Sequence, residues 1–322
     1  MPIDGKPSNG RNHDPYKAKR GFQEDRRVPW RQDPELVTIT FIYYHKFIQV
    51  YDKIIIEVIK KMIRSILFLL VALVGAIVNL PNCIYWHYHH EENQAAAYRK
   101  ATRICHIWIP PEEHIAGIRL HKTGTENLEM DRPVLYVGNH QGDADILLIM
   151  RELEELYSII AKIETKKIPV ISTWMANANC IFMDRGNPRQ TAECMKRAQE
   201  LLEQGRTVVV FPEGTRSKGA DMNEFKSGAF RCALKAKVPI VPFVIDGSYK
   251  IFEQQRRLKA ADVYMRILPA IEPEEYAGMK THEISAIVQQ KIQDELYAIR
   301  EEAGEPVPPE EERVQWNAQQ NS

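Results

Sequence analysis

Between residues 110 and 302 the sequence alternates short apolar runs with amphipathic segments, and this alternation constrains the fold more than any other feature. Runs near 115–120, 133–137, 157–161, 179–183, 207–211, 240–245 and 262–268 have the length of strands. Segments near 144–155, 169–178, 188–204, 227–236 and 282–301 carry helical periodicity. Strands separated by helices of this length imply an α/β layered fold, a mostly parallel mixed sheet flanked by helices. Ligands in such sheets bind beyond the carboxyl ends of the strands. The polar residues just after each apolar run are therefore where chemistry is expected.

One of these junctions reads Val134-Leu-Tyr-Val-Gly-Asn-His140-Gln-Gly-Asp-Ala-Asp145. Five positions separate His140 from Asp145. On a continuous helix or strand that step turns the two side chains apart. They meet only if the backbone changes type between them, with His140 past a strand end and Asp145 in the first turn of the next helix. A carboxylate there fixes the imidazole tautomer and leaves the other ring nitrogen free as a base. Taken alone, an Asn-His pair before a helix is more often a cap than a catalyst.

Other strand ends add weight. The run 207–210 is followed by Phe211-Pro-Glu213-Gly214-Thr215-Arg216-Ser217, a tight turn in which Gly allows close approach and the guanidinium suits an oxyanion. Arg185 follows the run ending at Met183, and Lys162 follows the run ending at Ala161. Three cations and a histidine at separate strand ends are harder to dismiss than any one alone.

The N-terminal third is different in kind. Residues 1–35 are polar and rich in Pro, Gly, Asn and Arg, which predicts a disordered basic arm without the apolar core of a cleaved leader. Residues 36–108 read as a membrane-associating helical segment. Lys53, Glu57, Lys60, Lys61 and Arg64 form one polar stripe on a helix whose remaining surface is apolar. The uncharged run 66–78 follows, closed by Asn79-Leu80-Pro81. Thirteen helical residues rise about 20 Å against a hydrocarbon core of about 30 Å, so a helix dipping into one leaflet is favoured over a span, with a tilted span open. Aromatic and basic residues from Tyr85 to Trp108 suit a membrane interface. His87, His89 and His90, with Glu91 and Glu92, match no zinc spacing. The α/β domain is expected over 109–302, and Pro- and Glu-rich residues 303–322 as a disordered tail.

With 43 basic and 43 acidic residues there is no global field to suggest a nucleic-acid protein. Five widely spaced cysteines without a Cys-x-x-Cys pair fit reduced thiols.

Four segments carry a resemblance. The Asn-His140-x4-Asp145 block, Ile181-Phe-Met-Asp-Arg185, Phe211-Pro-Glu-Gly-Thr-Arg-Ser217 and Val238-Pro-Ile-Val-Pro242 resemble, in order and spacing, the four motifs of the glycerolipid acyltransferases. The likeness covers roughly residues 98–271 and is greatest to the 1-acylglycerol-3-phosphate acyltransferase branch. It implies transfer of an acyl chain from acyl-CoA or acyl carrier protein to the sn-2 hydroxyl of lysophosphatidic acid, giving phosphatidic acid. It implies His140 and Asp145 as the catalytic pair, with Lys162, Arg185, Glu213, Gly214, Thr215 and Arg216 binding substrate. No metal or cofactor beyond the thioester co-substrate is implied. An enzyme acting on lipids is expected at the membrane surface, facing the cytoplasm.

The family usually has a Ser after Asn-His-Gln, followed by a bulky residue, where this chain has Gly142, Asp143 and Ala144. That bears on acceptor choice, and another lysolipid, such as a lyso-ornithine lipid, is the alternative. A hydrolase using the same dyad on water is a further class, although no Gly-x-Ser-x-Gly elbow is present. A non-catalytic adaptor fits poorly with an intact pair and turn.

Overall fold

Among the described residues, seven strands form one sheet in the order β1-β7-β6-β2-β5-β3-β4. They are β1 (Ile118–Thr123), β2 (Leu135–Gly138), β3 (Tyr157–Lys162), β4 (Ile181–Met183), β5 (Thr207–Val210), β6 (Ile240–Asp246) and β7 (Ala261–Ile267). Every neighbouring pair is parallel except β6 with β7. The helices are α1 (Pro34–His89), α2 (Gln94–Ala116), α3 (Ala144–Glu152), α4 (Ile171–Asn177), α5 (Pro188–Glu203), α6 (Arg231–Ala236) and α7 (Thr281–Glu302). This computed structural model describes residues 34–89, 94–129, 131–153, 157–168, 171–177, 179–313 and 316. The chain divides into two units, 1–59 and 60–322, and the sheet lies in the second.

The strand sequences dictate two buried faces, because successive side chains point to opposite sides. Leu135 and Val137 of β2, Val208 and Val210 of β5, and Ile240 and Val244 of β6 pack with Leu201 and Leu202 of α5 and Val288 and Ile292 of α7. Tyr136, Val209, Val241, Phe243 and Ile245 face the other way, toward Leu148 and Ile149 of α3 and Ile109 of α2. A strand buried on both faces reads as a continuous apolar run, as parallel sheets require. Gly138 at the end of β2 pairs with Phe243 of β6, whose ring fills the place a Cβ would take. The backbone before His140 thereby sits close against the central strand.

All seven expected strands are present. The helical half needs two corrections at proline. The first strand was expected from residue 115, yet α2 runs through Pro110 and Pro111 to Ala116, and β1 begins only at Ile118. Pro81 was read as the end of the N-terminal apolar run, yet α1 continues to His89. Packing overrides the proline cost in each case, since Cys83, Ile109 and Ala116 are all buried.

The second correction changes the membrane arithmetic. The apolar stretch does not stop at thirteen residues: Thr38–Tyr85 is long and apolar enough to cross a membrane, and most of its residues are exposed. Residues 60–85 alone rise about 39 Å, more than the roughly 30 Å hydrocarbon core. Within the second unit Gly75 is buried and lies close to the indole of Trp108 in α2. The basic arm up to residue 33 and His90, Glu91 and Glu92 lie outside the described residues. Residues 303–313, expected to be a disordered tail, instead fold back: Lys250 pairs with Glu305 at 2.7 Å, and Arg313 pairs with Glu301.

Candidate active site

Sheet order brings the predicted residues together. β2, β5, β3 and β4 are consecutive neighbours and parallel, so their carboxyl ends lie side by side. His140 follows β2, Glu213 to Arg216 follow β5, Lys162 closes β3, and Arg185 follows β4.

The backbone changes type between His140 and Asp145 as the spacing requires, from β2 to the first turn of α3. His140 Nδ1 donates to Asp145 Oδ2 at 2.8 Å, and both side chains are buried. The same carboxylate oxygen accepts the amides of Gln141 at 2.7 Å and Gly142 at 2.9 Å. With its proton on Nδ1, a neutral imidazole keeps Nε2 as an acceptor. The ring stacks on Phe211 at 4.4 Å between centroids, and Phe211 meets Phe243 edge-on. The imidazole plane is thus fixed by an aromatic face as well as by a carboxylate.

The turn after β5 braces the loop that carries His140. Glu213 Oε1 accepts the His140 amide at 2.6 Å, while Oε2 accepts the backbone and side-chain nitrogens of Asn223 at 2.9 and 2.7 Å. Burial pushes the Glu213 carboxyl up to about 7, against the opposing pull of these hydrogen bonds. The His140 carbonyl accepts the Ser217 amide at 2.7 Å, and the Gln141 carbonyl accepts that of Lys218 at 3.1 Å. Gly214 makes the turn at φ 68, with Lys226 filling the space beside it. Thr215 is exposed.

The three cations are not equivalent. Arg216 Nη1 meets the carboxylates of Asp143 and Glu253. Lys162 is half-exposed and pairs with Glu164 at 3.0 Å. Arg185 is partly buried, and its guanidinium is held below the ordinary value, first by burial and further by neighbouring Arg216, with Glu164 opposing. Its Nε is buried with no hydrogen-bond partner among the described residues. With an unpaired buried Nε on Arg185, the two guanidinium groups are donors of the kind that grips an oxyanion.

One expectation is corrected. Backbone amides near the start of the helix after His140 are where the sequence would place an oxyanion site, but those of Gln141 and Gly142 are taken by Asp145, and that of Asp143 is taken by Glu253 at 2.8 Å. Sequence reasoning also missed four supporting residues. Phe211 was quoted without its role against the imidazole. Asn223 gives no sign of reaching Glu213. Asp246, at the end of β6, accepts Gln141 Nε2 at 3.0 Å. Glu253 lies in no motif at all.

Residues 119–246 match the family described as Acyltransferase, a stretch containing every site residue from His140 to Arg216. A probable 1-acyl-sn-glycerol-3-phosphate acyltransferase of Mycoplasma genitalium is 36% identical over 167 residues, covering 50% of this chain and 60% of the relative. The 1-acyl-sn-glycerol-3-phosphate acyltransferase alpha of Bos taurus is 34% identical over 204 residues, covering 62% of this chain and 69% of the relative. The chain spans about three fifths of the length of the Mycoplasma relatives it matches. The crystal structure of the 1-acyl-sn-glycerophosphate acyltransferase PlsC from Thermotoga maritima shares the fold, with a TM-score of 0.64, 24% identity, and coverage of 75% of this chain and 97% of that one. The chain belongs to the 1-acyl-sn-glycerol-3-phosphate acyltransferase family.

Proposed function

We propose that this protein transfers an acyl group from an acyl thioester, acyl-CoA or acyl carrier protein, to the sn-2 hydroxyl of 1-acylglycerol-3-phosphate, forming phosphatidic acid. The observation that carries the reading is the buried His140–Asp145 contact, with Arg185 and Arg216 following strands of the same parallel run that carries it. A thioester already has a good leaving group, a thiol with a pKa near the ~8.5 of cysteine. The acceptor hydroxyl is the poor partner, so the reaction needs a base.

His140 Nε2 takes the hydroxyl proton as the oxygen attacks the thioester carbonyl. Asp145 holds the ring and stabilises the imidazolium that forms. The tetrahedral adduct collapses, the C–S bond breaks, and the imidazolium returns its proton to the thiolate. No acyl-enzyme is formed. Arg216 and Arg185 hold the phosphate of the acceptor with Lys162 at the rim, and Glu213 and Gly214 keep the turn in place.

An apolar pocket of about 190 Å³ opens beside Asp143 and Glu253, lined by Phe68, Leu147, Leu148, Ile251, Phe252 and Leu258. Its apolar lining suits part of an acyl chain. The exposed apolar helix α1 supports residence at a membrane, with the site on the cytoplasmic side where acyl thioesters are made.

The test is thiol release from oleoyl-CoA by detergent-solubilised protein, alone, with lysophosphatidic acid, and with lysophosphatidylcholine. Release that requires lysophosphatidic acid is expected. Equal release without acceptor would make the protein a hydrolase, and equal use of the choline lipid would remove the monoester specificity.

A further inference from the structure

Arg216 lies between two carboxylates that differ sharply in exposure. The Glu253 side chain is 3% exposed; its Oε1 accepts Arg216 Nη1 at 3.0 Å and the Asp143 amide at 2.8 Å. The Asp143 side chain is 73% exposed and meets the same Nη1 from the solvent side. The second oxygen of Glu253 is buried with no partner among the described residues, and it lies where a Cβ on residue 142 would stand 2.7 Å away. Gly142 therefore makes room for Glu253, and the departures Gly142 and Asp143 belong to one arrangement around Arg216. Glu253 falls outside the stretch that matches the family.

The charges explain what the pair does. Arg216 brings one positive charge, and Asp143 and Glu253 both meet it, so together they outweigh it. A phosphate monoester carries close to two negative charges at neutral pH. It cannot share Nη1 with both carboxylates, because like charges at contact distance repel strongly. Glu253 is locked by burial and by the Asp143 amide, whereas Asp143 can turn into water.

We propose that Asp143 stands in for the acceptor's phosphate, occupying Arg216 in the resting site and yielding it to the incoming anion while Glu253 keeps the guanidinium in position. This rests on the reading of Arg216 as a phosphate ligand. Asp143 is then a specificity residue: an anion too weakly charged to displace it does not gain Arg216.

The probe is sn-glycerol 3-phosphate, titrated by calorimetry into the detergent-solubilised full chain, which needs no turnover. Asp143→Asn and Asp143→Ser should each bind it at least about threefold more tightly than wild type, the size expected for removing an exposed competing ion pair. Glu253→Gln should bind more weakly, and Arg216→Ala more weakly still. Equal or weaker binding by both Asp143 variants overturns the exchange. If Arg216→Ala binds as wild type does, the phosphate reading itself falls and the exchange with it. Loss in Arg216→Ala with no change in the Asp143 variants sinks the exchange alone.

Discussion

Asp145 Oδ2 accepts three hydrogen bonds at once, from His140 Nδ1 at 2.8 Å and from the amides of Gln141 and Gly142 at 2.7 and 2.9 Å. One buried atom thus sets the imidazole tautomer and the path of the loop that carries the imidazole. Asp145→Asn removes the charge that stabilises the imidazolium, and kcat should fall about 10²- to 10⁴-fold, the range for losing assistance to a general base. Asp145→Ala should also unfold more easily, since each buried donor left unpaired costs about 1–3 kcal/mol. Thiol-release kinetics paired with thermal unfolding separate the two effects. Near-wild-type kcat in Asp145→Asn would contradict the role given to the carboxylate.

Glu213 ties stability to pH. Burial raises its carboxyl from the ordinary 4.5 to about 7 in the folded protein. Between those values the folded chain holds a proton that the unfolded chain has released. The stability this group contributes is therefore complete below about 4.5 and is lost as pH rises to about 7, at roughly 1.4 kcal/mol per unit while the shift lasts. The Tm of wild type should fall relative to that of Glu213→Gln between pH 5 and 7, and the gap should then level off. Parallel curves across that window would show that Glu213 does not titrate there.

Gly138 is required by contact. The Phe243 ring occupies the position of the missing Cβ, and both residues sit in the closely packed centre of the sheet. Gly138→Ala should cost about 1–3 kcal/mol as an overpacked core substitution. Adding Phe243→Leu should recover part of the loss, which a double-mutant comparison of Tm values checks. Additive losses would mean that the two positions do not press on each other.

The sheet was legible because its central strands are continuous apolar runs, and each of the seven strands overlaps an expected run, with β1 (Ile118–Thr123) starting three residues later than expected. The His140–Asp145 contact was legible because a five-residue step leaves one local solution. The helix ends were less legible, since Pro81 and Pro110-Pro111 are carried inside helices held by packing at Cys83, Ile109 and Ala116. Glu253 was invisible because it reaches the site from 110 residues beyond Asp143, through tertiary structure that no local pattern encodes. The amides after His140 looked available because nothing in the sequence shows that Asp145 and Glu253 have already taken them.

Arg216 should matter to acceptor binding more than to chemistry. Arg216→Lys keeps the charge but loses the planar fork that grips an oxyanion. A hydrogen bond to a charged group contributes about 1.5–3 kcal/mol, so KM for lysophosphatidic acid should rise about tenfold or more. Steady-state kinetics with varied acceptor at fixed oleoyl-CoA measure this. A fall in kcat at unchanged KM would place Arg216 in the chemical step instead.

The central claim is that His140 removes the acceptor proton in a direct transfer. The measurement that meets it most squarely is the rate of acceptor-dependent thiol release from oleoyl-CoA by His140→Ala, with lysophosphatidic acid saturating and folding verified by an unchanged Tm. Loss of at least about 10²-fold relative to wild type is predicted, as general-base catalysis contributes on that scale. Turnover near the wild-type rate would contradict the account.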